Sequence, residues 1–102
     1  MSSNPMEVFH NEAPEVADAF DHLIQAISSS RGLDAKTRQL FYIGMRAMQG
    51  DTVAVVAHVP MAKKAGATRE ELKDTILMTL MVSGIKGVVS CLPVALETYE
   101  GC

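Results

Sequence analysis

From Val53 to Ala65 the chain carries a helix-length run that is apolar on nearly every side, and this run restricts the fold more than any other feature. A helix of that kind has no polar face to offer water, so it needs neighbours around it. His58 is the only titratable side chain between Thr52 and Met61. Pro60, two residues later, has no amide to donate to the carbonyl of Val56, which predicts a kink close to His58. The run then ends on a recognisable stop. Lys63 and Lys64 suit the negative end of the helix dipole, and Gly66 suits the left-handed position just past it. Thr68 next reads as an N-cap with Glu71 as its capping-box partner, and Ala67 and Leu72 sit at the two positions of a hydrophobic staple.

Helical spacing organises the flanking segments as well. Residues 1–11 are polar and contain Pro5, which predicts an irregular N-terminal arm ahead of a single domain over 12–102. Pro14 stands at a favourable first-turn position. Val16, Ala19, Phe20, Leu23, Ile24 and Ile27 then recur on one face of a first helix, which Ser28–Gly32 stops. Asp34 reads as the cap of a second helix, with Leu40, Ile43, Gly44 and Ala47 inward, Phe41, Met45 and Met48 widening the stripe, and Gly50 closing it. The Val53–Ala65 run is the third. The fourth is expected over Arg69 to about Ser83, with Leu72, Ile76, Leu77, Leu80 and Met81 inward. Gly84 and Gly87 punctuate a turn before the fifth, where Val88, Cys91, Leu92, Ala95, Leu96 and Tyr99 face the core. Pro93 is easiest to accommodate if that helix starts near Ser90. No strand pattern competes, so the expected fold class is all-α, a compact bundle of about five helices.

Composition narrows the function classes. Hydrophobic residues make up 48% of the chain with no tryptophan and seven methionines, so the core must be built largely from aliphatic side chains and thioethers. The net charge of −3 and the scattered basic residues speak against nucleic acid as a partner. No apolar run approaches the roughly 20 residues of a membrane span, and Met1–Met6 has neither the charged nor the apolar part of a secretory signal. Cys91 and Cys102 are far apart and form no Cys-x-x-Cys, so neither a disulfide framework nor a zinc site is suggested. A cytoplasmic location is expected. Two nearly all-apolar helices in so short a chain would expose more apolar surface than a soluble monomer tolerates, which predicts a closed homo-oligomer.

From Leu33 to about Tyr99 the sequence resembles the carboxymuconolactone decarboxylase family, which also contains the alkylhydroperoxidase D-type proteins. The matching segments are Leu33-Asp-Ala-Lys-Thr-Arg-Gln-Leu40, then His58-x-x-x-Ala62-x-x-x-Gly66-Ala-Thr-x-Glu70-Glu71, and the helix ending in the Gly84–Gly87 turn. The middle segment is the specific one, since it joins a histidine to a complete stop-and-cap signature. The resemblance implies an alkylhydroperoxidase D-like helical fold assembled as trimers or hexamers, with the histidine near a subunit boundary and no cofactor.

In the peroxidase branch a Cys-x-x-Cys pair precedes this histidine and a glutamate on the preceding helix completes a proton relay. By spacing, the cysteine positions fall on Asp51 and Ala54, and the glutamate falls on Gln39. Peroxiredoxin activity needs a thiolate and a resolving thiol, which a carboxylate and a methyl cannot replace. The decarboxylase branch lacks the cysteine pair and keeps a histidine here, which makes His58 the candidate acid or base, with Gln39 as a neutral hydrogen-bonding partner. Arg38, Tyr42 and Arg46 are the candidates to face a small acidic or carbonyl substrate, and Asp51 reads as a cap that also lines the cleft. A second histidine often carried by that branch aligns with Leu96. The alternatives are a relative of the peroxidases without its thiols, and a non-enzymatic oligomeric binding protein. His10 and His22 are expected at the surface, His22 paired with Asp18, and Cys91 is expected to be buried and inert.

Overall fold

The structure is a computed structural model and describes residues 4–102. Its elements in order are α1 (Pro5–Glu12), α2 (Pro14–Ser28), α3 (Ala35–Met48), α4 (Thr52–Lys64), α5 (Arg69–Met78), α6 (Leu80–Ser83) and α7 (Lys86–Gly101), with no strand among the described residues. The all-α expectation therefore holds. The chain divides into two compact units at Gly32, the α1–α2 hairpin and the bundle from Leu33 onward, rather than at the arm boundary near Asn11.

The N-terminal arm is not irregular. Asn4 caps α1 by accepting from the amide of Met6 at 2.9 Å, and Pro5 takes the first helical turn, where its missing N–H costs nothing. The part of the arm at residues 1–3 lies outside the described residues. In α2 the apolar stripe forms as the spacing predicts but is not buried in the single chain: Val16, Leu23 and Ile27 are all more than half exposed, while Ala17 is fully buried.

The core of the larger unit gathers Ile43 and Ala47 from α3, Val55, Val59 and Ala62 from α4, Leu72 and Ile76 from α5, and Cys91 and Ala95 from α7, with Ala67 beneath the α4–α5 turn. Each is an aliphatic, small or thiol side chain, so the helices approach closely, and one contact sets the limit. A side chain carbon on Gly87 would stand 2.6 Å from the carbonyl oxygen of Ala47 and 3.0 Å from the Thr79 hydroxyl. The first turn of α7 thus lies directly on the C-terminal end of α3.

The α4–α5 turn is built as its residues dictate. Gly66 has φ of 103°, its amide donates to Lys63 and the Ala67 amide reaches back to Ala62, which together make a Schellman closure. Thr68 and Glu71 exchange both capping-box bonds, at 2.8 and 3.0 Å. Glu71 also accepts from Lys36 at 2.9 Å, tying the start of α5 to the start of α3.

Four further expectations change. α4 runs unbroken through Pro60, which is exposed; the carbonyl it leaves unpaired belongs to Val56, itself partly exposed, so water can reach that side of the helix. In a single chain α4 is also not covered all round, because Val53, Val56 and Met61 reach solvent. The fourth helix is interrupted at Thr79, whose buried hydroxyl donates to the carbonyl of Ile76 at 2.6 Å and competes with the backbone ladder. Leu80 and Met81 consequently leave the stripe and are exposed. α7 starts at Lys86, not near Ser90, and accepts Pro93 in its interior. The carbonyl deprived of a donor is that of Val89, on the exposed side.

Two substitutions check this account. Thr68→Ala removes a capping box and should lower unfolding free energy by about 1 kcal/mol in a urea titration. Gly87→Ala forces α7 away from α3 and should cost roughly 1–3 kcal/mol, the range for overpacking a close contact, although alanine is the better helix former.

Candidate functional site

His58 stands on α4 between the buried Val55 and Ala62, one turn from each, and is itself half-buried. The packing of α4 on α3 places it opposite a polar strip that runs along α3 at helical spacing: Gln39, Tyr42, Arg46 and Gln49. Its Nδ1 lies 2.9 Å from Oε1 of Gln39. A carboxamide oxygen can only accept, so Nδ1 carries the proton and Nε2 carries the lone pair in the neutral ring. No hydrogen bond occupies Nε2 among the described residues, where no buried side-chain nitrogen or oxygen is left without a partner. Nε2 therefore has access to solvent.

The ring of Tyr42 stacks on the imidazole, with centroids 3.9 Å apart and planes 30° from parallel. Behind Tyr42, Arg46 closes the arrangement. Its Nε donates to the tyrosine hydroxyl at 3.0 Å, its guanidinium sits 5.2 Å from the ring centre, and one terminal nitrogen donates to Gln49 at 3.1 Å and to Asp51 at 3.4 Å. Asp51 uses its other oxygen to cap α4, accepting from the amide of Ala54 at 3.0 Å. The result is one connected set: Gln39 on His58, His58 on Tyr42, Tyr42 on Arg46, and Arg46 on the carboxylate that begins the histidine's own helix.

Two causes hold the imidazole below its usual range. Burial is the larger, and the positive charge of Arg46 adds to it. The neutral form is thus favoured near pH 7. The sign for stability follows, since a histidine whose folded pKa lies below its unfolded value binds fewer protons when folded. Its contribution is full above about 6.5, the free imidazole value, and diminishes as pH falls below that.

Five of the six candidates, His58, Gln39, Tyr42, Arg46 and Asp51, are brought together. Arg38 is directed elsewhere, donating to the carbonyl of Leu33 at 3.1 Å at the mouth of α3. Gln49 is the member the sequence reading omitted, although it shares the face of Tyr42 and Arg46 by spacing alone. In the single chain Arg46 turns Nε and one terminal nitrogen to Tyr42, Gln49 and Asp51.

Two cavities open nearby. A smaller one of about 320 Å³ is walled by Tyr42, Met45, Arg46 and Gln49, three of them members of the connected polar set. A larger one of about 620 Å³ lies between α3 and α5, with Leu40, Phe41, Met45, Met48, Met78 and Val82 among its walls and the Lys36–Glu71 ion pair at its edge. His58 is in the wall of neither.

This fold and this histidine-bearing helix define a helical protein of known type. The family profile of the carboxymuconolactone decarboxylase family matches residues 14–97, and the chain belongs to that family. A carboxymuconolactone decarboxylase family protein from Legionella pneumophila superposes with a TM-score of 0.81 at 29% identity, covering 94% of this chain and 85% of that one. A Burkholderia xenovorans structure superposes with a TM-score of 0.87 over 98% of this chain and 78% of that one, and at 20% identity it shows the likeness of fold alone. An uncharacterised protein from Methanocaldococcus jannaschii is 32% identical over 81 residues, which is 78% of each chain. Among the described residues no helix is long and apolar enough to cross a membrane.

A histidine NMR titration checks the electrostatics. His58 should titrate below about 6.5. Arg46→Gln should move the midpoint upward only part of the way, because burial persists. Gln39→Glu should raise it further, since a carboxylate at the same distance favours the imidazolium.

Proposed function

We propose that the protein performs proton-transfer chemistry on a small carbonyl- or carboxyl-bearing substrate, with Nε2 of His58 as the general base or acid. The observation that carries this reading is the unshared Nε2: Gln39 fixes the tautomer, Tyr42 fixes the ring plane, and the remaining nitrogen is left free at a solvent-reachable point. A neutral imidazole near pH 7 is the form needed to remove a proton from carbon next to a carbonyl, or after protonation to return one. Gln39 orients the ring without taking up the proton, because a carboxamide does not titrate. Asp51 positions α4 and holds Arg46, which in turn steadies Tyr42.

The substrate cleft is completed, in this reading, by a neighbouring subunit of a trimer or hexamer. Two features support an assembly. His58 lines neither cavity of the single chain, and the bundle leaves Phe41, Met45, Met78, Met81, Val82, Ile85 and Val89 each more than half exposed. A small acidic ligand fits if docking of that neighbour redirects Arg46 or Arg38 toward the cleft. The two free thiols, Cys91 and Cys102, accord with a reducing, cytoplasmic setting.

The family's other chemistry, peroxide reduction, finds no thiol at the two positions where the resemblance expects the cysteine pair. Asp51 and Ala54 occupy the two sulfur positions, Asp51 is committed to capping, and Cys91 is fully buried. Peroxide turnover with a dithiol reductant should be absent. A measurable rate abolished by Cys91→Ser would overturn that reading.

The deciding experiment is a thermal-shift screen of small carboxylic and keto acids on wild type and His58→Ala in parallel. A ligand at a hundred times its Kd adds about 2.7 kcal/mol, and a domain of this size gains roughly 4–8 °C per kcal/mol. A compound that stabilises wild type and not the variant supports the site and names its substrate class. Equal stabilisation of both, or an unchanged rate with the bound compound when His58 is replaced, would overturn it.

A further inference from the structure

In the smaller unit, a second histidine is held in an arrangement that only one protonation state satisfies. His10 of α1 has Nδ1 at 2.7 Å from the carbonyl oxygen of Met6 and Nε2 at 2.7 Å from a carboxylate oxygen of Asp21 on α2. Both partners are acceptors. A neutral imidazole has one N–H and can serve one of them, leaving a lone pair facing the other; the imidazolium serves both. We propose that protonated His10 is a clasp that closes the α1–α2 hairpin, holding α1 against α2 at acidic pH and releasing its grip when the ring loses its proton.

The surroundings are consistent with this state. α2 is the element packed against α1, and the charged groups it turns toward the ring are Asp21 and, at longer range, Asp18. On its own helix Glu7 lies one turn before. All three are acidic. The ring is accordingly held above its usual range, first by the hydrogen bond to Asp21 and then by the Met6 carbonyl. Beside the clasp, Phe9 and Phe20 meet edge to face at 5.9 Å, the apolar half of the same joint. α1 has eight residues, buries none of them completely, and is too short to persist without tertiary support. Loss of the clasp therefore acts on the whole element, and with it on the cover over Phe20 of the exposed α2 stripe.

The sign is the opposite of that for His58. A raised folded pKa gives a contribution that is complete below about 6.5, the unfolded value, and fades as pH rises through the folded midpoint. The test is a pair of NMR measurements on the full chain, wild type against Asp21→Asn and Asp21→Ala: the titration of His10, and amide protection factors for residues 6–12 on either side of its midpoint. In wild type His10 should titrate above 6.5, and α1 protection should fall severalfold as pH passes that midpoint. In both variants the midpoint should drop toward the free value and protection should become low and independent of pH. Asp21 is partly exposed, so both variants should fold, which intact protection in α4 would verify. A wild-type midpoint at or below 6.5, or α1 protection unchanged across it, would overturn the proposal. Because His58 lies in the other unit, neither result bears on the proton-transfer reading.

Discussion

The packing of α4 on α3 is the contact on which the rest of the bundle depends. Val55, Val59 and Ala62 meet the face of α3 that carries Ile43 and Ala47, and all five are buried. Since these side chains are short and branched or only a methyl, the two helix axes are held close. That closeness lets a carboxamide on α3 reach a ring nitrogen on α4. A larger residue at Ala47 or Ala62 would separate Gln39 from His58 and unstack Tyr42 together. The geometry of the polar set is thus a consequence of apolar packing one helical position away. Opposite this seam, α7 reaches the end of α3 through Gly87, so three helices share one rigid joint.

Local signals were the most legible part of the chain. Gly66, Thr68 and Glu71 act within a few residues of one another, and each adopted the bond its chemistry favours. The same logic applies to Asn4 and Pro5, a cap followed by a first-turn proline, yet the segment reads as irregular because α1 is short and its apolar residues form no long periodic face. The breaks were harder. Thr79 ends α5 through one hydroxyl bond to the preceding turn, which nothing in the apolar spacing of Ile76, Leu80 and Met81 announces. Pro93 sits inside α7 because the carbonyl it abandons faces water, and exposure is a property of the packed structure rather than of the sequence.

The polar set divides along the same line. The pairing of Gln39 with His58 was available from family resemblance, and Asp51 from its capping position. The stacking of Tyr42 on the imidazole depends on the distance between two helices, and the capture of Arg46 by Gln49 and Asp51 depends on how the α3–α4 turn folds at Gly50. His10 shows the limit plainly. The spacing suggested His22 with Asp18 on one helix face, whereas the acid that holds a histidine is Asp21, eleven residues from His10 and across the α1–α2 junction.

The exposed methionines have a chemical consequence of their own. Met81 is 83% exposed and Met78 64%, with Met45 at 57%, while the thiol of Cys91 is sealed. An oxidant meeting the unassembled chain therefore finds thioether sulfur in the open, together with the terminal thiol of Cys102. Each sulfoxide formed would turn an oily contact polar and chiral, so in this member of the family chemical damage would register as a change in surface wetting, with the interior sulfur untouched.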